Sequence, residues 1–179
     1  MDKSGVDSRR QSPTSFALAA ALTVWWLVSA VTYARLPALM PMHFALSGVA
    51  DGPLKAPNVA WFLFPAIASI AFIALELVVR TAATNPSVLN IPHKDEHLRL
   101  GAAERVQVLR EVRCMTNLIM LCVGTALAAI QFGAFRAGQH GEMRMGHGPL
   151  LITALAVASM MLAVLRGYLR VNKRLSELA

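Results

Sequence analysis

A histidine, a carboxylate and an ammonium group occur close together in one polar segment of this chain. His43, Asp51 and Lys55 lie in the segment from Leu36 to Lys55, which separates two long apolar stretches. Side chains of these types can exchange protons, ligate a cation or hold a polar ligand through hydrogen bonds and ion pairs. The chain has no Ser-His-Asp, HExxH, P-loop or Rossmann pattern, so the sequence favours a binding role over catalysis.

The same segment has the composition of a compact, shaped loop. Pro37 and Pro41 fix φ and lack a backbone N–H, so no regular helix can continue through them. Gly48 and Gly52 tolerate the positive φ that tight turns require. We therefore predict a structured loop that presents the polar side chains.

Read in order, these residues resemble the signature of a bacterial membrane family of unknown function. The domain of that family also forms the N-terminal part of SdpI-type toxin-immunity proteins, which protect a cell against a secreted killing peptide. The matching residues are Leu36, Pro37, Met40, Pro41, His43, Phe44, Gly48, Asp51, Gly52 and Lys55. Through this signature Phe44 joins His43, Asp51 and Lys55 as a candidate ligand contact.

A second short match covers residues 90–94. Asn90, Pro92 and Lys94 resemble a polar segment that follows the second membrane helix in family members. Together the two matches imply a small multi-helix membrane protein, and they imply no known reaction.

Long apolar runs dominate the rest of the chain, which is 56% hydrophobic and 15% charged. Four runs without a charged residue, each of at least 20 residues, cover 11–34, 56–75, 114–135 and 145–165. About 20 apolar residues in a helix span a hydrocarbon core of about 30 Å, and soluble helical bundles rarely carry four such runs. We predict an all-α integral membrane protein with four transmembrane helices at about 14–34, 57–79, 114–135 and 149–169.

The basic residues are unevenly distributed among the loops. Of the 17 Lys and Arg residues, thirteen lie in the two terminal segments and in the loop 80–113. The other four lie in or beside the two remaining loops. Because Lys and Arg are retained on the cytoplasmic side, both termini and loop 80–113 are expected inside and the motif loop 35–56 outside. The expected location is the bacterial cytoplasmic membrane. This topology accounts for the net charge of +7 without nucleic-acid binding, for which no recognition motif is present.

Two of the segments that are expected inside the cell have distinct patterns. Residues 1–13 are polar and predict a disordered leader; the alternative is that the first apolar run is a cleaved signal peptide. From Asp95 onward, Val106, Leu109 and Val112 alternate with basic residues and predict an amphipathic helix before the third span. We expect this helix to lie at the inner leaflet, held by anionic headgroups, and to run into the third span; the alternative is a docking face for a cytoplasmic regulator.

Two of the polar residues near or inside the apolar runs are candidates for a specific role. Glu76 adjoins the second run, and a carboxylate in lipid is a functional candidate, but Arg80 four residues later makes an ion pair the simpler interpretation. Gln131, near the outer end of the third run, could hydrogen-bond to the motif loop or to another helix.

The loop after the third run contains His140, Glu142 and His147, which are expected on the same side as His43 and Asp51. Such a set could bind zinc or another divalent cation. The spacing matches no established ligand motif, so a solvated loop is the ordinary interpretation, and we predict no metal and no cofactor.

These features together predict a membrane-embedded binding or sensor protein whose outer loop engages an extracellular peptide or an envelope component. One alternative is a structural or assembly subunit of a membrane complex, and another is a small transporter, which would need more polar residues deep in the helices. The bilayer is the first expected partner, and a second copy of the chain is a further candidate.

Overall fold

The computed structural model describes residues 13–178 except 42, 46, 53–54, 56–58 and 89–93, and it leaves the side chains of 96–97 and 174–178 undescribed. Within these residues the secondary structure is helical apart from three isolated β-bridges. The α-helices are α1 (Pro13–Tyr33), α2 (Leu63–Thr84), α3 (Lys94–Arg99), α4 (Ala102–His140) and α5 (His147–Leu178), with short 3₁₀ turns at Val59–Phe62 and Pro86–Val88. The expected leader lies almost entirely outside the described residues.

Four of these helices are long and apolar enough to cross a membrane: α1, α2 with its preceding 3₁₀ turn, α4 and α5. Many of their large apolar side chains are exposed, among them Leu151, Leu155, Met161 and Leu169 of α5. Side chains of this kind on a helix surface are suited to contact with lipid. The predicted all-helical, four-span architecture agrees with the structure at this level.

Helix α4 is the central element of the bundle. It packs against α1, α2 and α5, whereas α5 packs chiefly against α4. Helices α4 and α5 approach closely where Gly167 faces Met115, because a Cβ at Gly167 would overlap the Met115 side chain. In the middle of the bundle α1, α2 and α4 share a buried apolar cluster made of Leu18, Leu22, Trp25, Ala68 and Met120.

The helix that contains the third apolar run extends well beyond the predicted span 114–135. It begins at Ala102 instead of near Cys114, and its 39 residues correspond to about 58 Å at 1.5 Å per residue. Its start is capped by Glu104, whose carboxylate accepts a hydrogen bond from the Gly101 N–H at 2.8 Å. Helix α5 is also long, with 32 residues.

The region expected to form one amphipathic helix from Asp95 is divided in two. Helix α3 ends at Arg99, and the residues from Ala102 onward are the first turns of α4. Their apolar side is buried against protein, in a cluster made of Ala82, Leu100, Val108, Leu109, Val112 and Val171. We call the end of the bundle that contains this cluster the basal end. The predicted periodicity is present there, but its apolar face is covered by α2 and α5.

Candidate functional site

The two loops at the opposite end of the bundle join to form one structure. We call residues 35–55 together with residues 141–146 the cap. The first segment follows α1, and the second connects α4 to α5. The polar side chains singled out in the sequence, His43, Asp51 and Lys55, all lie in the cap.

The first cap segment folds back on itself as a short antiparallel pair. Met40 and Lys55 exchange two backbone hydrogen bonds, of 3.1 and 3.0 Å, and Phe44 is bridged to Ala50. The two bridges are four residues apart on the first side and five on the second. Gly52, with φ of 117°, lies within that longer side, which agrees with its predicted turn conformation.

The turn of this pair depends on Gly48. Its backbone N–H donates to the Ala45 carbonyl at 2.8 Å, and its φ is 75°, a conformation that favours glycine. A Cβ at this position would lie 2.8 Å from Leu150 Cδ1. The positive φ of the turn therefore favours glycine, and a larger residue would also make the Leu150 side chain of α5 shift.

The α4–α5 loop supplies a third backbone segment. The Ala50 N–H donates to the Met143 carbonyl and the Met145 N–H donates to the Gly48 carbonyl, both at 2.7 Å. Val49 and Arg144 form the corresponding antiparallel bridge. Hydrogen bonds between main chains thus fix the two loops against each other, a contact that the sequence interpretation missed.

Close contacts with glycines of α4 attach the cap to the bundle. Met40 is completely buried, and a Cβ at Gly138 would lie 2.8 Å from Met40 Cβ and 3.0 Å from Pro37 Cγ. Similarly, a Cβ at Gly133 would lie 2.6 Å from Met145 Cγ. Each cap segment therefore rests directly on the α4 backbone.

Further cap contacts follow the predicted roles of the motif residues. Pro41 is buried and Pro37 is half-buried, consistent with a structural role for both. The Gln139 side-chain amide donates to the Arg35 carbonyl, which ties the end of α4 to the residues after α1.

The three polar candidates are exposed on this framework. Because Phe44 is opposite Ala50, His43 is opposite Asp51, and the Asp51 N–H donates to the His43 carbonyl at 3.0 Å. Directly opposite residues of an antiparallel pair project from the same face. The imidazole and the carboxylate are thus neighbours on one face, whereas Phe44 is half-buried.

The other candidate positions have different locations. Asn90 and Pro92 lie outside the described residues, and Lys94 is the first residue of α3, far along the chain from the cap. His140 ends α4 and His147 begins α5, and both are exposed. Within the described part of the chain, no three His, Cys, Asp or Glu side chains come together as a metal site, so the geometry gives the metal interpretation no support.

A buried polar network lies directly beneath the cap and is centred on Gln131. Its Oε1 accepts from Trp25 Nε1 at 2.7 Å, and its Nε2 donates to the Trp61 carbonyl at 2.9 Å and to Ser29 Oγ at 3.2 Å. Trp61 Nε1 in turn donates to the Ser29 carbonyl at 3.0 Å. The amide of Gln131 therefore joins α1, α4 and the 3₁₀ turn before α2. Of the two partners that the sequence left open for Gln131, the motif loop and another helix, the structure shows the second.

Ion pairs near the basal end fix the carboxylate Glu76. Its Oε1 lies 3.6 Å from Arg80 Nε, as the spacing predicted, and 3.1 Å from Arg113 Nη2. The sequence interpretation did not include Arg113, since a partner on another helix has no signal in sequence spacing. Nearby on α4, Asn117 donates to Ser15 Oγ at 2.9 Å and to Thr14 Oγ1 at 3.1 Å. These contacts hold α1 and α2 to α4.

Chemically, the cap offers a fixed surface that carries an imidazole, a carboxylate and an ammonium group, which suits recognition of a polar or charged ligand. Comparison of this chain with protein-family models, with curated proteins and with solved structures finds no match.

Proposed function

We propose that this chain is a multi-pass protein of the bacterial cytoplasmic membrane that binds an extracellular peptide or envelope component through the cap. Four apolar helices of spanning length support its residence in a bilayer. The excess of basic residues at the basal end supports a cytoplasmic location for both termini. With that topology the cap faces the cell exterior.

The observation that carries the proposal is the backbone pairing of the two cap segments. Loops that already hold their shape lose less conformational entropy when a ligand binds, so a larger share of the contact energy appears as affinity. The side chains of His43 and Asp51 project from the same face of the cap. The backbone of Lys55 is paired with that of Met40. We assign these three residues to ligand contact and assign Phe44 to the apolar part of the same surface.

The resemblance of the motif to the SdpI-type immunity domain supports a peptide as the ligand. In this proposal the chain acts by binding, and no catalytic residue is assigned. A transporter is a weaker candidate because the polar side chains of Glu76, Asn117 and Gln131 within the helices are already paired with protein groups.

Photo-crosslinking in living cells tests the proposal. A photoreactive amino acid at Ser47, exposed in the cap turn, should capture a secreted peptide or an envelope component, and capture should fall at least tenfold in a His43→Ala/Asp51→Ala background. The same probe at Ser87, exposed at the basal end, is the matched control and should not capture that species.

Protein abundance separates binding from assembly. If His43→Ala/Asp51→Ala leaves the membrane level of the chain unchanged while abolishing capture and toxin protection, the cap acts in binding. Loss of the chain, or of a co-purifying membrane complex, would instead identify a structural subunit.

A further inference from the structure

Arginines from three helices gather in one band at the basal end. Glu76 of α2 forms an ion pair with Arg113 of α4. Arg80, one turn after Glu76 on α2, pairs with the same carboxylate. Glu111 joins Arg170 of α5 to α4 at 3.9 Å. With a rise of 1.5 Å per residue, these contacts place five arginines within a band of about 10 Å along the bundle axis. We call this set the arginine band: Arg80, Arg110, Arg113, Arg166 and Arg170.

The arginine band has more positive charge than its ion pairs neutralise. Among the described side chains, the carboxylates paired with it are Glu76 and Glu111. Arg110 and Arg166 are exposed, and neither has an ion-pair partner among the described side chains. The side chains of Arg80 and Arg170 remain 63% and 69% exposed despite their pairing, so four guanidinium groups are accessible to an anion.

The band lies where the apolar surface ends. Arg113 immediately precedes the charge-free run of α4, and Arg166 immediately follows that of α5. Just beyond Arg166 toward the cap, Leu162 and Leu165 of α5 are 45% and 54% exposed. A molecule that fits both features has an anionic group beside an apolar chain, which describes a phospholipid better than a free anion.

We propose that the arginine band is a binding site for the phosphodiester headgroups of anionic phospholipids. Guanidinium groups bind phosphate oxygens in a bidentate manner, and the exposed leucines of α5 cover the adjoining acyl chains. The amphipathic helix expected from the sequence has its apolar face buried in protein. In this proposal the headgroups expected to contact that amphipathic helix instead contact the basic residues of α4 and α5 at the ends of the spans. This site is independent of ligand binding at the cap.

Lipid enrichment tests the site. The purified full chain, reconstituted in bilayers of phosphatidylcholine with a minor fraction of phosphatidylglycerol, should enrich phosphatidylglycerol in the lipid that remains bound, as measured by native mass spectrometry. The Arg166→Gln/Arg170→Gln variant should lower this preference about 25-fold, since each of the two basic residues at an anionic surface contributes about fivefold. Arg166→Lys/Arg170→Lys keeps the charge and should retain an intermediate preference.

The matched control removes two positive charges from the cap end of the bundle instead of the basal end. Arg136 and Arg144 are exposed at the cap end, and Arg136→Gln/Arg144→Gln should keep the preference of the unaltered chain. Equal enrichment in the Arg166→Gln/Arg170→Gln variant and the unaltered chain overturns the proposal. An equal loss of the phosphatidylglycerol preference in the Arg136→Gln/Arg144→Gln control also overturns the proposal, because the preference would then depend on net charge alone.

Discussion

Glu76 on α2 accepts a hydrogen bond from Arg113 on α4, with 3.1 Å between Oε1 and Nη2. Arg80, the partner that sequence spacing selects, lies farther away at 3.6 Å and is largely exposed. The side chains of Glu76 and Arg113 are only 16% and 17% exposed. The contact with Arg113 is therefore the more protected of the two, and it joins α2 to α4, whereas the pair with Arg80 lies within α2.

Replacing Glu76 tests this ranking. We expect Glu76→Gln to lower the free energy of unfolding by about 2–3 kcal/mol, below the ~3–5 kcal/mol of a fully buried pair, because Arg113 keeps its charge without a carboxylate partner. Arg80→Gln, at an exposed pair, should change it by at most about 1 kcal/mol. Thermal and denaturant unfolding in detergent micelles measures both. If the Glu76→Gln/Arg113→Gln double variant is no more stable than Glu76→Gln, the unpaired charge is not the cause.

The attachment of the cap to α4 depends on Gly138. Gly138→Ala adds a Cβ 2.8 Å from Met40 Cβ and 3.0 Å from Pro37 Cγ, and a Cβ cannot rotate away as the end of a long side chain can. We expect a loss of about 1–3 kcal/mol in stability from this overpacking, together with faster tryptic cleavage after Lys55 and Arg144. Gly146→Ala, which meets nothing within 4 Å, is the control and should cleave like the unaltered chain.

The network around Gln131 should contribute measurably to the cap end of the bundle. Gln131→Leu leaves the Trp25 indole N–H and the Trp61 carbonyl without their partner, and a buried unpaired group costs about 1–3 kcal/mol. A shift in tryptophan fluorescence should accompany the loss of stability. Thr125→Val, also on α4, removes only a hydrogen bond to the Leu121 carbonyl of its own helix and should leave both properties unchanged.

Sidedness can be measured with two exposed serines. In a background with Cys114 and Cys122 replaced by alanine, Ser47→Cys should react with a membrane-impermeant maleimide in intact cells. Ser87→Cys should react only after the membrane is opened. The reverse pattern would place the cap in the cytoplasm and remove the basis for extracellular ligand binding.

The sequence predicts the parts of this structure that depend on local composition. Unbroken apolar runs identify the four long helices, and the positive φ of Gly48 and Gly52 follows from the turn chemistry of the motif. For Gln131 the sequence predicted a hydrogen bond but left two partners open, the motif loop or another helix. That choice depends on how the helices dock, and composition does not specify docking.

Long-range pairing was not predictable in the same way. Residues 142–145 alternate polar and apolar side chains, which is a weak strand signal, yet nothing in that pattern names Val49 and Ala50 as partners. The start of α4 was also not located, because its first turns are charged on one side and were interpreted as part of an amphipathic helix that begins near Asp95 and runs into the third span. Their apolar residues, Val108, Leu109 and Val112, contact α2 and α5 instead of lipid.

One consequence of the unbroken α4 concerns mechanics. A single rod of 39 residues touches both cap segments through Gly133 and Gly138, and its other end holds Glu111 against Arg170. Pivoting such a rod by about 5° moves its tip by about 5 Å for a length of about 58 Å. A force on the cap that tilted α4 about its cap end would therefore displace the opposite end of the helix by about one helical turn.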